Sequence, residues 1–243
     1  MHGKIAIFFE KCCIFVAIMK RLLLFFTLPI LLLSCRGGKQ APAVSADTLR
    51  TGDLVFVAIP ASFGEEDASM ADAIAASTGR DSLRIIHVAI AEIDEGGAPW
   101  IIDATIAHGV ERHPLDTLFA DFAMPDGGRA TYIVKRLSGE YPLDRFLDRA
   151  KSLCGQPYDV HFQPDNDSLY CSELVRESYR LEDGRYLFEN APMNFKDPDG
   201  EFPAYWLWLF NDYLGEPIPQ DIPGTNPAAM SGDPLLQDTE VAL

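Results

Sequence analysis

The chain has 243 residues, a formal net charge of −16 and 48% hydrophobic residues. From residue 35 onward, 16 basic and 35 acidic residues give a net charge of −19. A surface of that sign repels a phosphate backbone, which argues against nucleic acid as a partner. About 200 residues are enough for one domain with a core of ordinary size.

Residues 1–34 are expected to be a signal peptide. A short basic region that starts at Met19 precedes an apolar run at residues 22–33, and Ser34 and Cys35 follow it. This is the order of regions in a secretory signal. The apolar run has only twelve residues, whereas a helix that stays in the membrane as an anchor needs about 20. Either Met19 is the true start, or residues 1–34 form one long signal.

Cys35 resembles the cysteine of a bacterial lipobox. That resemblance implies cleavage before Cys35 and lipidation of its thiol. We therefore expect an envelope lipoprotein, held to a membrane by a lipid anchor on the periplasmic or outer-membrane side. Residues 35–49 are small and polar, with Gly37, Gly38 and Pro42, and this composition predicts a flexible tether.

The remaining chain is predicted to hold most of its strands before its main helices. Strands are expected at residues 53–59, 85–93, 100–105, 109–113 and 131–136, and helical segments at 65–77, 114–119, 142–153 and 171–180. This order favours an α+β fold with an antiparallel sheet over a parallel one with alternating helices. The apolar run at 205–210 is expected to be core rather than an acyl-chain or membrane contact. Residues 232–243 are expected to be a loose tail.

Cys171 is a candidate nucleophile because a polar run leads directly into it and a helix follows. With Asp167 or Ser168 as the N-cap, Cys171 lies in the first turn, where the helix dipole favours a thiolate. The alternative is a structural cysteine in the core. Cys154 is expected on the apolar face of the preceding helix, so two separate roles are favoured over a disulfide.

A metal site is not expected, and neither is a cofactor. His108 and His113 are five residues apart, and that spacing does not put two imidazoles on one face of a helix or strand. The cysteines show no C-x-x-C spacing, which argues against a zinc or redox motif.

His87 and Asp103 are polar residues inside two apolar strands, where each needs a partner. If the strands form a hairpin, direct pairing of these two residues centres the turn on Glu95, beside the Gly96-Gly97 turn signal. Both side chains then lie on one face of the sheet. The carboxylate would orient the imidazole and leave its other nitrogen for a thiol. The alternative is a histidine bonded to a backbone carbonyl.

The chain resembles the YiiX-like branch of the circularly permuted, papain-like hydrolases of the NlpC type. The similarity covers roughly residues 50–230, and we take residues 50–231 as the hydrolase domain. It implies an antiparallel sheet or small barrel packed against helices. The sequence blocks that carry it are Gly52-Asp53, 86–90, 102–104, Gly109-Val110, 132–136, 155–159, 170–175 and 217–227. In this family the histidine precedes the cysteine, as it does here.

The resemblance implies a cysteine amidase or peptidase with Cys171 as nucleophile, His87 as base and Asp103 as the orienting acid. The branch often has Glu at the last position, and Asp is a shorter substitute. Tyr158 matches a tyrosine that could bind the oxyanion or the substrate. Glu173 is a second candidate near the nucleophile, either shaping the electrostatics or capping backbone.

The substrate implied is an amide in a cell-wall peptide. A lipid or N-acyl amino acid, acted on by a hydrolase or an acyltransferase, is the alternative within the enzyme class. A binding module with an unreactive thiol is the alternative outside it.

Overall fold

The computed structural model of the protein describes residues 49–60, 69–78, 83–124 and 129–243. The signal peptide, the lipidated Cys35 and nearly all of the tether lie outside these residues, and they stay predictions. Within the described ranges, no helix combines the length and apolar character needed to cross a membrane.

A six-stranded antiparallel sheet forms the centre of the molecule. Its strands are β1 (Leu54–Pro60), β2 (Leu83–Ile93), β3 (Pro99–Thr105), β4 (Gly109–Pro114), β5 (Thr131–Leu137) and β8 (Leu236–Asp238), in the spatial order β4-β3-β2-β1-β5-β8. The sheet is open and does not close into a barrel. A small ladder joins β6 (Ala191–Pro192) to β7 (Pro223–Gly224). The predicted α+β class with an antiparallel sheet is confirmed.

Short helices cover the sheet. They are α1 (Met70–Ser77), α2 (Leu115–Asp121), α3 (Leu143–Ser152), α4 (Cys171–Ser178), α5 (Ala204–Leu207) and α6 (Pro227–Ser231), and a π-helical segment, Trp208–Leu214, continues from α5. The helix predicted at 142–153 agrees with α3 to within one residue at each end, because Pro142 is its N-cap. Cys154 lies beyond α3 and is exposed, so its expected place on an apolar helix face is wrong.

The central strand β1 is buried on both faces, since its side chains alternate between two cores. Leu54 and Phe56 face a core with α3 and α4, whereas Val55 and Val57 face a core that includes residues of α2. A strand of this kind reads as a continuous apolar run, which is why it could be found from sequence. The two cores fix the sheet between the helices that carry the site.

Two buried polar contacts tie β1 to its surroundings. The Arg136 guanidinium donates from Nε to Asp53 Oδ1 at 2.6 Å and from a terminal nitrogen to Oδ2 at 2.7 Å. Paired donors of this kind match a carboxylate well. The Tyr179 hydroxyl, at the end of α4, donates to the Gly52 carbonyl at 3.0 Å. The Tyr179 contact fixes the end of the helix that begins at Cys171.

The C-terminal residues do not form the loose tail that the sequence predicted. β8 pairs with β5, Val241 is buried, and the Thr239 hydroxyl donates to the Val134 carbonyl at 2.8 Å. These few residues have little periodicity of their own. They form a strand because they pair with the unpaired backbone groups at the edge of the sheet. The run at 205–210 is mixed: Trp206, Leu209 and Phe210 are buried, while Leu207 and Trp208 are exposed.

Candidate active site

Cys171 is the first residue of α4, and its side chain is 4% exposed. Tyr170 is the N-cap, in extended conformation and without a side-chain cap, so the expected cap at Asp167 or Ser168 is wrong. The first backbone N–H groups of a helix have no intrahelical partner. The thiol therefore lies at a helix start that favours negative charge, and it is unpaired with Cys154, since both cysteines are free.

His87 and Asp103 meet, as the shared face predicted. His87 Nε2 lies 2.7 Å from Asp103 Oδ2, with exposures of only 5% and 2% for the two residues. The expected register, however, is wrong by two residues. The ladder pairs Ile90 with Ile102 and Ile93 with Pro99, so His87 and Asp103 are not directly opposite each other. They make contact just past the Ile90–Ile102 pair.

The β2–β3 turn explains this register. The Asp94 carboxylate accepts from the backbone N–H of Gly96 at 2.9 Å and of Ala98 at 2.8 Å, and from Trp100 Nε1 at 2.9 Å. Asp94 thereby organises a longer loop centred on Gly96, and Gly97 has a φ of +83° that suits glycine. A shift of two residues leaves each side chain on the same face of the sheet. His87 and Asp103 therefore still make contact, although the predicted register is wrong.

The electrostatics of the pair favour an ionised Asp103 and a protonated His87. Burial alone would lower the pKa of His87, but the negative charge of Cys171 and hydrogen bonds with Asp103 and Cys171 raise it to about 10. Burial would raise the pKa of Asp103, but the hydrogen bonds and charges of two histidines lower it to about 2. The imidazole is thus held between a carboxylate and a thiol.

The second of those histidines is His113 on β4, whose role the sequence did not reveal. His113 Nε2 lies 2.9 Å from Asp103 Oδ1, and Nδ1 lies 3.1 Å from the Pro114 carbonyl oxygen. Burial opposes its charge, yet contact with Asp103 raises its pKa. Alternation along β3 and β4 places both side chains on one face, but in the sequence alone His113 stands out only as a possible metal ligand beside His108.

Tyr158 lies next to the nucleophile. Backbone hydrogen bonds from Leu169 to Pro157 at 3.1 Å and from Asp159 to Leu169 at 3.3 Å hold the tyrosine's segment against the chain that enters α4. Burial, followed by the charge of Cys171, raises the Tyr158 pKa well above its ordinary value. The phenol therefore stays a neutral donor, and its hydroxyl makes a weak contact with Met70 Sδ at 3.7 Å.

Loop 155–157 is fixed in turn by β4. Val110 donates to the Gln156 carbonyl, and Gly155 donates to the Val110 carbonyl, both at 2.8 Å. A side chain at Gly109 would place its Cβ 2.4 Å from the Gln156 oxygen, and the φ of Gly109 is +67°. This close approach requires glycine, and it gives the Gly109-Val110 motif a structural reason.

Glu173 does not line either pocket beside the thiol. Its carboxylate accepts from the Tyr170 N–H, which caps the start of α4. Burial, with the charge of Asp159, raises its pKa to about 8, and Oε2 is buried without a hydrogen-bond partner among the described residues. Glu173 therefore contacts the backbone at the start of α4 and does not face the pockets that reach the thiol.

The thiol lies where two pockets meet, because Cys171 and Tyr158 are part of both linings. One pocket, of about 290 Å³, also contains His87, Asp121 and Phe122. The other, of about 100 Å³, is mostly apolar and aromatic, with Phe162, Phe195 and Trp206 among its walls. A chain that passes over Cys171 could therefore place one part in each pocket.

A thiol at a helix start, an imidazole and a carboxylate are the types of group that papain-like cysteine hydrolases use. In sequence, the histidine strand comes before the cysteine helix, so the order is permuted. The chain belongs to the permuted papain-like amidase family YaeF/YiiX, C92, whose model matches residues 48–239.

Two similar proteins come from Escherichia coli. The uncharacterized protein YiiX of strain K12 is 29% identical over 113 residues, which are 45% of this chain and 54% of that relative, so the match spans about half of the relative's length. The crystal structure of metalloprotein YiiX from strain O157:H7 superposes with a TM-score of 0.60 at 22% identity, covering 79% of this chain and 97% of that one. The latter similarity supports the fold alone.

In the parts of this chain that the structure describes, no three or more His, Cys, Asp and Glu side chains are grouped so as to hold a metal ion. The histidines that could have done so have other contacts. His113 bonds Asp103, and His108 lies 3.7 Å from Glu111 and 3.8 Å from Asp121 on a more exposed surface.

Proposed function

We propose that the protein hydrolyses an amide bond through a thioester acyl-enzyme on Cys171, with His87 as general base and acid and Asp103 as the residue that orients it. The observation that carries this proposal is the line of buried contacts from Asp103 through His87 to Cys171. Since the ionised Asp103 can only accept, Nε2 of His87 carries a proton, and Nδ1 is left for the thiol.

The reaction follows from these positions. The Cys171 thiolate attacks the carbonyl carbon, and the oxyanion forms near the N–H groups at the start of α4 and the Tyr158 hydroxyl. His87 gives its proton to the departing amine nitrogen as the C–N bond breaks, which leaves a thioester on Cys171. Neutral His87 then takes a proton from water, whose oxygen attacks the thioester; the C–S bond breaks, the acid leaves, and the Cys171 thiolate beside protonated His87 is restored.

For the substrate we propose a peptide of the cell wall. This rests on the expected export and lipidation at Cys35, because an enzyme anchored in the envelope meets stem peptides there. The acidic surface, with a net charge of −19 from residue 35 onward, does not favour polyanionic substrates.

The experiment is to incubate the full chain with stem peptides of the cell wall and to follow free amines and the mass of the Cys171 peptide. The expected result is amine release by the wild type, a thioester on Cys171 after rapid quenching, and neither in Cys171→Ala. Cys154→Ser is the matched control, since it removes an exposed thiol that takes no part in the proposed reaction. Amine release by Cys171→Ala would contradict the thiol mechanism.

A lipid or N-acyl amino acid is the second candidate substrate, for a hydrolase or an acyltransferase, and the smaller pocket supports it. That pocket has aromatic walls beside the thiol, and such walls bind an acyl chain by removing apolar surface from water. N-acyl amines with two to sixteen acyl carbons would distinguish the candidates. A kcat/KM that rises with chain length favours the lipid substrate, and a flat series with active stem peptides favours the cell-wall substrate.

A binding module with an unreactive thiol is the remaining alternative. It predicts that Cys171 reacts with alkylating agents no faster than an ordinary thiol of equal access. The alkylation measurement described in the Discussion separates this alternative from both enzyme candidates.

A further inference from the structure

Both ring nitrogens of His113 face oxygen atoms that accept hydrogen bonds. Nε2 lies 2.9 Å from Asp103 Oδ1, and Nδ1 lies 3.1 Å from the carbonyl oxygen of Pro114. A carbonyl oxygen and an ionised carboxylate can only accept. A neutral imidazole has one N–H and would therefore turn a nitrogen lone pair toward one of the two oxygens, in a site where His113 is 4% exposed.

Two placements of the shared proton satisfy these contacts. Either His113 carries both protons beside an ionised Asp103, or a protonated Asp103 donates to a neutral His113. The second placement loses a charge-assisted bond, because Asp103 also accepts from His87 Nε2 at 2.7 Å. The pKa of Asp103, lowered to about 2 despite its burial, and the raised pKa of His113 favour the first placement.

We propose that His113 is a fixed imidazolium that serves as a positioning residue for Asp103. It occupies Oδ1, so that Oδ2 is directed at His87 and the carboxylate cannot rotate away. Its charge also offsets part of the charge of Asp103, so Asp103 raises the pKa of His87 by less than it would alone. The protonation of His113 is independent of the proposed reaction, whereas the positioning role rests on the proposed function.

The charged groups around the two histidines set the expected titrations. His113 faces Asp103 on β3, and the carboxylate of Asp121 at the end of α2 adds a second negative charge. His87 faces Asp103 and Cys171 on α4. Because both neighbouring carboxylates favour the charged form of the imidazole, which raises the pKa of His113, we expect His113 to carry both protons at pH 7.

The direct experiment is ¹⁵N NMR of the histidine side chains in the full chain labelled at histidine. Substitution to Gln at His2, His108 and His161, one at a time, assigns those signals, and Cys171→Ala identifies His87 as the one whose titration moves. The expected result is two protonated ring nitrogens on His113 at pH 7. A neutral His113, with one unprotonated nitrogen at pH 7, would overturn the proposal without any test of activity.

The variant His113→Gln tests the positioning role. The amide of Gln can still donate one hydrogen bond to Asp103 Oδ1, but it has no charge. Because the full charge of Asp103 then acts on His87, we expect the His87 titration to shift upward by about one pH unit, with a circular-dichroism spectrum like that of the wild type. A His87 titration that is unchanged or lowered in a folded variant would overturn this role. If the variant does not fold, the wild-type measurement still decides the protonation of His113.

Discussion

Replacing His87 by Ala removes the imidazole that holds the charge of Cys171, so the thiol should lose its reactivity at acid pH. An ordinary thiol with a pKa of about 8.5 is only about 0.3% ionised at pH 6. In the wild type, the His87 pKa of about 10 arises partly from the charge of Cys171. Such coupling is mutual, and a protonated His87 therefore favours the thiolate.

The size of the effect follows from these fractions. In general, a thiol that is fully ionised at pH 6 exceeds this fraction by a factor of about 300. A thiol of so low a pKa is intrinsically less nucleophilic, which removes roughly a factor of 30. From the contact between His87 and Cys171, we therefore expect alkylation of Cys171 at pH 6 to be about ten times slower in His87→Ala than in the wild type.

The assay is iodoacetamide labelling between pH 5 and 9, with the Cys171 and Cys154 peptides followed separately by mass spectrometry. Cys154 is an internal control, because partial desolvation of its sulfur raises the pKa of this thiol, although the residue as a whole is exposed, and the charged groups that act on it are Arg112, Glu111, Glu92 and Lys151. Its rate at pH 6 should be low and equal in both proteins. Equal rates at Cys171 in both proteins, with the fold retained, would refute the ion pair and favour the binding module.

Other measurements test the neighbouring groups. In Asp103→Asn, the amide NH₂ faces one of the two imidazole N–H donors, so the free energy of unfolding should fall by about 3–5 kcal/mol. The His87 titration, followed by NMR, should move to lower pH. An unchanged titration would contradict the contact between His87 and Asp103. Stability should fall at both extremes of pH: the depressed pKa of Asp103, about 2 against 3.8, contributes about 2 kcal/mol above pH 4 that is lost as the pH falls through 2. The raised pKa of His87, about 10 against 6.5, contributes below pH 6.5 and is lost as the pH rises toward 10. Urea unfolding of the wild type and Cys171→Ala should show the same acid limb and a weaker alkaline limb in the variant, and identical alkaline limbs would argue against the thiolate contact. Tyr158→Phe should lower kcat on an active substrate by about 10- to 100-fold and leave alkylation of Cys171 nearly unchanged; a parallel loss in both assays would mean that Tyr158 only holds the fold.

The strands and the pair His87–Asp103 could be predicted because each depends on local patterns. Alternation along β2 and β3 placed both side chains on one face, and a register error of two residues did not change that. The register itself depends on the Asp94 carboxylate, which three donors share. Turn residues in the sequence do not reveal which donors such a carboxylate will bind.

The contact of His113 with Asp103 and the C-terminal strand β8 could not be predicted in this way. Each depends on partners in another strand. His113 needed the β3–β4 register, which pairs it with Ile101 and brings it diagonally toward Asp103. β8 needed the free edge of β5, about a hundred residues earlier. The N-cap of α4 also depends on a tertiary contact, because the Tyr170 hydroxyl accepts from the backbone N–H of Thr225 at 2.9 Å.

The position of Cys171 between two pockets has a consequence for the order of events in a turnover. In the proposed reaction, the amine leaves from the side of His87, since that residue supplies its proton, while the thioester keeps the acyl part on the other side of the sulfur. The larger pocket, of about 290 Å³, is thus vacant while the acyl-enzyme persists, and water or an incoming amine can occupy it. Kinetics of the ping-pong type follow, and a concentrated amine would divert the same intermediate from hydrolysis to acyl exchange.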